Sequence, residues 1–443
     1  MTSDGSAIGP EAPDETTVGN YFVSNYPPFS FWRPDQTHLV ESRLDTAPDP
    51  AVPLGLYVHI PFCRKRCDFC YFKVYTDNDS ARVRRYIDAV IAELGSYVER
   101  TFVQGRKPLF VYFGGGTPSY LSVEQLQYLF AGLQKHLPWD EAEEIAFECE
   151  PGTLQEKKIR ALRDLGVTRL SLGVENFDPE ILALNNRAHR AKEIDAAYRC
   201  AQEVGFPQIN IDLIAGMVGE TEENWQSCIR KARDMAPESI TLYQLEVPYN
   251  TTIYKRMQDG KETKAPVADW STKRRWVDEA FRDLEANGYR VGSAYTAVKN
   301  ADVQFLYRDG LWRGADMLGI GVASFSHMGG IHFQNQHELE PYFETLGRGE
   351  LPIHRAMALN EDEKLIREFI LQLKFGRVEV DYFQDKFKVD VRQRFVEPLR
   401  KHEHDGYLTH ENGSILLNRD GLLQVDRLLH EFFRDEHRGA RYA

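Results

Sequence analysis

The sequence predicts an α/β protein, a partial TIM-like (β/α)6 barrel followed by a small α+β tail of winged-helix character. Three observations carry this. Short apolar, β-branched runs recur from residue 55, at GLYVHI, PLFVYFGGG, EIAFECEPG, TRLSLGVENF, QINIDLIAG and SITLYQLEVP. Amphipathic stretches with apolar residues at helical spacing lie between them, such as ARVRRYIDAVIAELGSYVER and EKKIRALRDLG, the second stopping at Gly166. Six strands alternating with helices call for parallel βαβ units, and six are too few for a closed eight-stranded barrel. Beyond these, NEDEKLIREFILQLKFG and VRQRFVEPLRKHEHDG read as helices, and YLTHENGSILLN as a hairpin turning at Asn412-Gly413.

The expected organisation follows in chain order. Residues 1–18 are acidic and without periodicity, and are expected to be disordered. Residues 19–54 form an arm dense in aromatics (NYFVSNYPPFSFW) that packs on the body or lids a site. Residues 55–260 are the core barrel, 261–355 its extension and linker segments, and 356–443 the tail domain.

Composition narrows the function. The net charge is −13 over 443 residues, which argues against coating nucleic acid or anionic lipid. No run of 18 apolar residues occurs, and MTSDGSAIGPEAPDETT has neither the basic nor the apolar region of a secretory signal. Six cysteines, three of them clustered, suit a reducing compartment and a metal site. The expectation is a cytoplasmic protein with no nucleic-acid or membrane partner.

The densest chemical signal is HIPFCRKRCDFCYF, with Cys63, Cys67 and Cys70 in a C-x3-C-x2-C spacing just after the first strand. Thiolates bind soft metals and iron–sulfur clusters. A structural zinc would want a fourth ligand, for which His59 is a candidate, and no second C-x2-C exists. Three thiolates on four irons instead leave one iron open to the amine and carboxylate of S-adenosylmethionine (SAM). Cys149, Cys200 and Cys228 read as small buried hydrophobes, and His402 and His404 as solvated polar residues.

YVHIPFCRKRCDFC is similar to the opening motif of the radical-SAM superfamily. The chain from about 55 to 430 resembles its oxygen-independent coproporphyrinogen oxidase-like family. The resemblance implies a [4Fe–4S] cluster on Cys63, Cys67 and Cys70, reduced by a donor such as flavodoxin or ferredoxin. It implies that SAM is then cleaved to a 5′-deoxyadenosyl radical. By the same resemblance, GGGTP (Gly114, Gly115, Gly116, Thr117) meets the SAM amine, and Glu148 holds the amine or ribose. Glu175 stands where glutamine is common, Arg187 meets the SAM carboxylate and Asp212 the ribose. Tyr57 and Phe69 lie beside adenine and cluster.

Three branches of that family compete. Coproporphyrinogen oxidases carry a further cysteine two after the third, where this chain has Phe72. Haem chaperones carry H-N-x-x-Y-W, where this chain reads YRDGLW, Tyr307–Trp312. CYFKVYTD, LYQLEVPYNT, YRDGLWRGADMLGIGVASFSH and NYFVSNYPPFSFW look most like the class C methylases and cyclopropanases, which bind two SAM molecules. On that branch Gln244, Glu246, Tyr249 and Tyr295 line the second site, Glu246 takes a catalytic part, and Gly319–Ser326 runs along the pocket. The sequence reading favours methyl or methylene transfer to an sp2 carbon of a porphyrinogen-like or natural-product acceptor.

Overall fold

The computed structural model describes residues 22–258 and 267–440. The disorder expected for residues 1–18 lies outside them. Six strands run parallel and in chain order: β1 (Leu54–Ile60), β2 (Pro108–Gly115), β3 (Glu144–Cys149), β4 (Arg169–Glu175), β5 (Gln208–Ala215) and β6 (Ser239–Gln244). The α/β fold class is the one the sequence predicts.

The sheet is larger than six strands. β7 (Arg290–Ser293) and β8 (Thr296–Val298) form a hairpin, of which β8 pairs antiparallel with β6. On the other side β9 (Asp316–Ile320) joins β1 as a seventh parallel strand. Antiparallel β10 (Phe325–Met328), β11 (Ile331–Asn335) and β12 (Ile353–Ala358) follow, giving twelve strands in one sheet. All five residues of β9 are buried, as a strand hydrogen-bonded on both edges and covered on both faces requires.

Helices cover the outer face. Ser80–Val98 starts at Asp79, whose carboxylate accepts from the Arg82 amide. It buries Val83, Tyr86, Ile87, Val90, Leu94 and Tyr97, the i, i+3, i+4 stripe of its sequence. Truncating one such side chain, Leu94→Ala, costs about 2–5 kcal/mol. The barrel's inner face is polar where it positions chemistry, and that is where the strand ends converge.

The tail carries its own small sheet, β13 (Arg377–Glu379), β14 (Leu408–Glu411) and β15 (Ser414–Leu417). Asn412 and Gly413 both have positive φ, 47° and 82°, as a two-residue hairpin turn demands. Its apolar cluster takes in Val23 and Tyr26 from the arm, beside Phe369, Phe383, Phe395 and Phe432. Arg33 also exchanges backbone hydrogen bonds with Ala356 on β12. The arm is thus packed, and its first described residue, Phe22, lines the central cavity as well.

Two minor expectations need correction. His402 is buried, its Nε2 3.2 Å from the Leu428 carbonyl, because its helix packs on the tail core; His404 is exposed. Cys200 is only partly buried on a helix flank, whereas Cys149 and Cys228 are buried.

Candidate active site

The cysteine loop leaves the C-terminal end of β1 and is tied down at several points. The Cys63 amide donates to the Tyr75 carbonyl and the Tyr75 amide to Pro61. The Asp68 amide donates to Asn185, and Asn186 Nδ2 to the Arg66 carbonyl at 2.8 Å. Arg64 makes a two-pronged contact with Glu150 (2.9 and 2.7 Å). Burial would raise the Glu150 carboxyl, but hydrogen bonds from His189 and Arg64 outweigh it and hold it down at about 2.

The three thiols face distinct neighbours. Thr117 Oγ1 donates to Cys63 Sγ at 3.3 Å, and Arg187 Nη1 to Cys67 Sγ at 3.2 Å. The Cys70 amide closes a turn onto the Cys67 carbonyl. Burial pushes the Cys63 thiol up to about 12 and the Cys70 thiol to about 11, so both want a metal to ionise them. Among the described residues no three His, Cys, Asp or Glu side chains gather tightly enough for a single ion. His59, the candidate fourth zinc ligand, instead pairs its Nδ1 with Tyr57 Oη at 3.0 Å inside the barrel.

The glycine loop after β2 lies against the cysteine loop. A Cβ on Gly116 would come within 2.9 Å of the Pro61 backbone and 3.0 Å of Cys63 Sγ. Gly115 has φ +112° and donates its amide to Glu148 Oε2 at 3.2 Å. Tyr112 Oη donates to the other Glu148 oxygen. Burial raises the Glu148 carboxyl to about 7 in spite of both donors.

At the end of β4 the pairing slips by one residue, and Glu175 takes φ +65°. Its carboxyl lies 3.4 Å from Arg187, whose Nη2 also donates to the Gly173 carbonyl at 2.7 Å. Burial raises Glu175 to about 7, partly offset by Arg187. Asn185, buried and bonded to Ile181 and Val218, and Asn186, at φ +60°, turn the chain so that Arg187 reaches inward.

These groups open on a cavity of about 410 Å³. Its wall includes the thiols with Arg64, Lys65 and Arg66, and also Glu148, Glu175, Tyr243, Gln244 and Glu246. Phe69 lines it and packs on Ile181, Ile214, Met217 and Leu245. Burial raises the Glu246 carboxyl to about 8, against the donation it receives from the Phe22 amide. Gln244 donates to the Leu423 carbonyl at 2.9 Å, and its buried Oε1 has no partner among the described residues.

Several expected residues are not in the cavity wall. Tyr57 stacks beside Tyr112 in the barrel, Gly114 sits one residue below the loop, and Asp212 is held by Ser171 and Asn210. Tyr249 is half exposed and outside the lining. Tyr295 bonds Asp426 in an adjoining cleft of about 50 Å³, which shares Tyr243, Gln244 and Glu246 with the main cavity. Gly319–Ser326 lies elsewhere: the Gly321 amide donates to buried Glu93 and the Gly319 amide to Ser326, bracing β9 and β10. Conversely, the sequence reading missed Glu150, Tyr112 and Tyr243. Tyr112 was within reach, since β-alternation places it on the face of Gly114.

The arrangement fits a thiolate-held cluster with an adjacent small molecule. The donors are soft sulfurs, Gly116 leaves a cradle that a Cβ would fill, and acid and guanidinium groups converge beside it. Residues 57–232 match the profile of the radical SAM superfamily. Those residues form a radical SAM domain. It is similar to oxygen-independent coproporphyrinogen III oxidase of Escherichia coli, 28% identical over 397 residues (85% of this chain, 84% of that protein). It is also similar to the heme chaperone HemW of Bacillus subtilis, 27% identical over 372 residues (83% and 96%). Among solved structures, that of E. coli coproporphyrinogen III oxidase (HemN), described as a radical SAM enzyme, superposes with a TM-score of 0.81 at 25% identity. The match covers 93% of this chain and 96% of that one. As a radical SAM enzyme, the chain works with a [4Fe–4S] cluster and SAM. No helix among the described residues is long and apolar enough to cross a membrane.

Proposed function

We propose that the chain removes a hydrogen atom from a carboxylate-bearing side chain of a porphyrinogen-class substrate; carbon dioxide then leaves, a carbon–carbon double bond forms, and the remaining electron passes to an external one-electron acceptor. The similarity to coproporphyrinogen oxidase through both barrel and tail carries this reading. It replaces methyl or methylene transfer as the leading reading, because the similar proteins bear coproporphyrinogen oxidase and haem-chaperone names.

In this reading Cys63, Cys67 and Cys70 hold the cluster. Arg187 takes the SAM carboxylate with its planar fork, while Glu148 and the Gly115–Thr117 loop take the amine. When bound, cluster and SAM supply a 5′-deoxyadenosyl radical on reduction. The protein's part is to hold the two reacting carbons at contact distance and keep water out. Phe69 and the apolar residues behind it wall the cavity, and Phe22 closes its far side. Arg64, Lys65 and Arg66 at the mouth suit an anionic substrate. Glu246, protonated below about pH 8, faces that substrate without repelling its carboxylates.

Methyl or methylene transfer stays as a second reading on one observation: Phe72 stands, 46% exposed, where the decarboxylases carry a further cysteine. The small cleft beside Gln244 and Glu246 would then take part of a second SAM. Haem trafficking has less support, because YRDGLW offers no histidine and Tyr307 is stacked on Tyr112 at 4.1 Å. Anaerobic turnover of reduced, reconstituted enzyme with coproporphyrinogen separates the readings. Carbon dioxide released with 5′-deoxyadenosine supports decarboxylation. S-adenosylhomocysteine without carbon dioxide overturns it in favour of transfer.

A further inference from the structure

We propose that Tyr71 and Phe72 form an aromatic shelf in the central cavity, which takes the face of one pyrrole ring of the substrate and sets specificity for it. This deepens the reading of a porphyrinogen-class substrate and rests on it. A pyrrole presents an uncharged, electron-rich ring face, which a carboxylate-binding group cannot hold.

The shelf stands directly after the last thiol of the cysteine loop. Tyr71 and Phe72 are 39% and 46% exposed, their rings 4.5 Å apart and tilted by 36°. Both line the cavity, as does Tyr243 from the end of β6, which is 41% exposed. The exposure is to the cavity, since burial still pushes the Tyr71 and Tyr243 phenols up. Phe69, two residues before Tyr71, packs on Ile181, Ile214, Met217 and Leu245. Among the described residues, Tyr71 and Phe72 join none of the apolar clusters. Large rings left uncovered inside a cavity are surface for a ligand to cover.

The backbone beneath the pair is anchored. Asn250 Nδ2 donates to the Tyr71 carbonyl at 2.9 Å, and Arg66 Nη2 to the Cys70 carbonyl at 3.1 Å. A few residues on, Tyr75 exchanges backbone hydrogen bonds with Pro61 and Cys63. The rings are thus presented from a fixed loop, which lowers the cost of ordering them around a ligand.

Charge alone would not orient the substrate. Of the cations lining the cavity, Arg64 is engaged by Glu150, Arg66 by the Cys70 carbonyl, and Arg187 by Cys67 and Gly173. That leaves Lys65, which is exposed, for a substrate carboxylate. A single cation draws in a polycarboxylate from many directions. Contact with a ring face fixes a plane, and so aims the side chain that loses its hydrogen.

The test titrates reconstituted full-length enzyme with coproporphyrin III, the stable oxidised relative of the porphyrinogen, and follows its fluorescence. Tyr71→Leu and Phe72→Leu keep apolar bulk and lose the ring. Each should weaken coproporphyrin binding about five- to tenfold, with iron content and SAM affinity within about twofold of wild type. Tyr71→Phe and Phe72→Tyr, which keep a ring, should hold the wild-type affinity. Equal coproporphyrin affinity in the leucine variants and the wild type overturns the proposal. So does a parallel loss of iron or of SAM affinity, which would assign the pair to the cluster loop. Failure of the substrate reading would show separately, in the wild type, as no binding of coproporphyrin and no carbon dioxide from coproporphyrinogen; the shelf then has no such ring to hold, and the proposal falls with the reading.

Discussion

Arg187 joins two parts of the site with one guanidinium: Nη1 lies 3.2 Å from Cys67 Sγ and Nη2 lies 2.7 Å from the Gly173 carbonyl. The second thiol of the loop is thereby held against the end of β4, and the rigid fork is what permits it. Lysine keeps the charge and loses the fork. Arg187→Lys should weaken SAM binding about 10- to 100-fold, the worth of one charge-assisted hydrogen bond. Equilibrium dialysis on reconstituted protein measures it, and unchanged affinity would remove Arg187 from the SAM site.

Gly116 tests the cradle. An added Cβ there meets backbone atoms of Ile60 and Pro61 as well as Cys63 Sγ, so the neighbours have little room to give. Gly116→Ala should fold with an unchanged circular dichroism spectrum and assemble less than half the wild-type cluster, read from visible absorbance and iron content. Full cluster content would show that nothing needs that space.

Glu148 should report the protonation of the SAM amine's partner. Its carboxyl, raised by burial to about 7, is mostly neutral below that pH and charged above it. The N–H groups of the amine donate more strongly to an ionised carboxylate, so binding tightens as pH rises through 7. SAM affinity should therefore climb between about pH 6 and 8 in the wild type, and Glu148→Gln should flatten that rise.

Glu93 gives a stability prediction away from the site. It is fully buried, accepts from Gly321, Asn335 and Tyr342, and burial raises it to about 7. The folded chain therefore holds this proton more tightly than the unfolded chain does. This group's contribution is largest at low pH, is lost as pH rises from the ordinary carboxylate range to about 7, and is then constant. The loss is on the order of 3 kcal/mol. Glu93→Gln should remove that component from a plot of thermal midpoint against pH.

Much of the barrel was legible because its signals are local. Each of β1 to β6 is a short apolar run, and Asn412-Gly413 announces its turn through residue type alone. The three cysteines and the glycine loop were legible for the same reason, since spacing within a dozen residues decides what they can hold.

What was missed depends on distant partners. Glu150 looks like one more acid in FECEP, and only the fold brings Arg64 to it across 86 positions. Nothing in DMLGI says that β9 pairs with β1. Gly319–Ser326 has the glycines of a ligand loop, yet its amides are taken internally, Gly321 by buried Glu93, Gly319 by Ser326 and Val322 by Tyr86. His402 has the neighbours of a surface residue in sequence and the neighbours of a core residue in space.

The most direct test is iron stoichiometry and electron paramagnetic resonance of anaerobically reconstituted, dithionite-reduced protein, with and without SAM. The account predicts about four irons per chain, lost in each of Cys63→Ala, Cys67→Ala and Cys70→Ala, and a cluster signal that shifts when SAM is added. Bound zinc in place of iron, or a cluster whose signal ignores SAM, would contradict it.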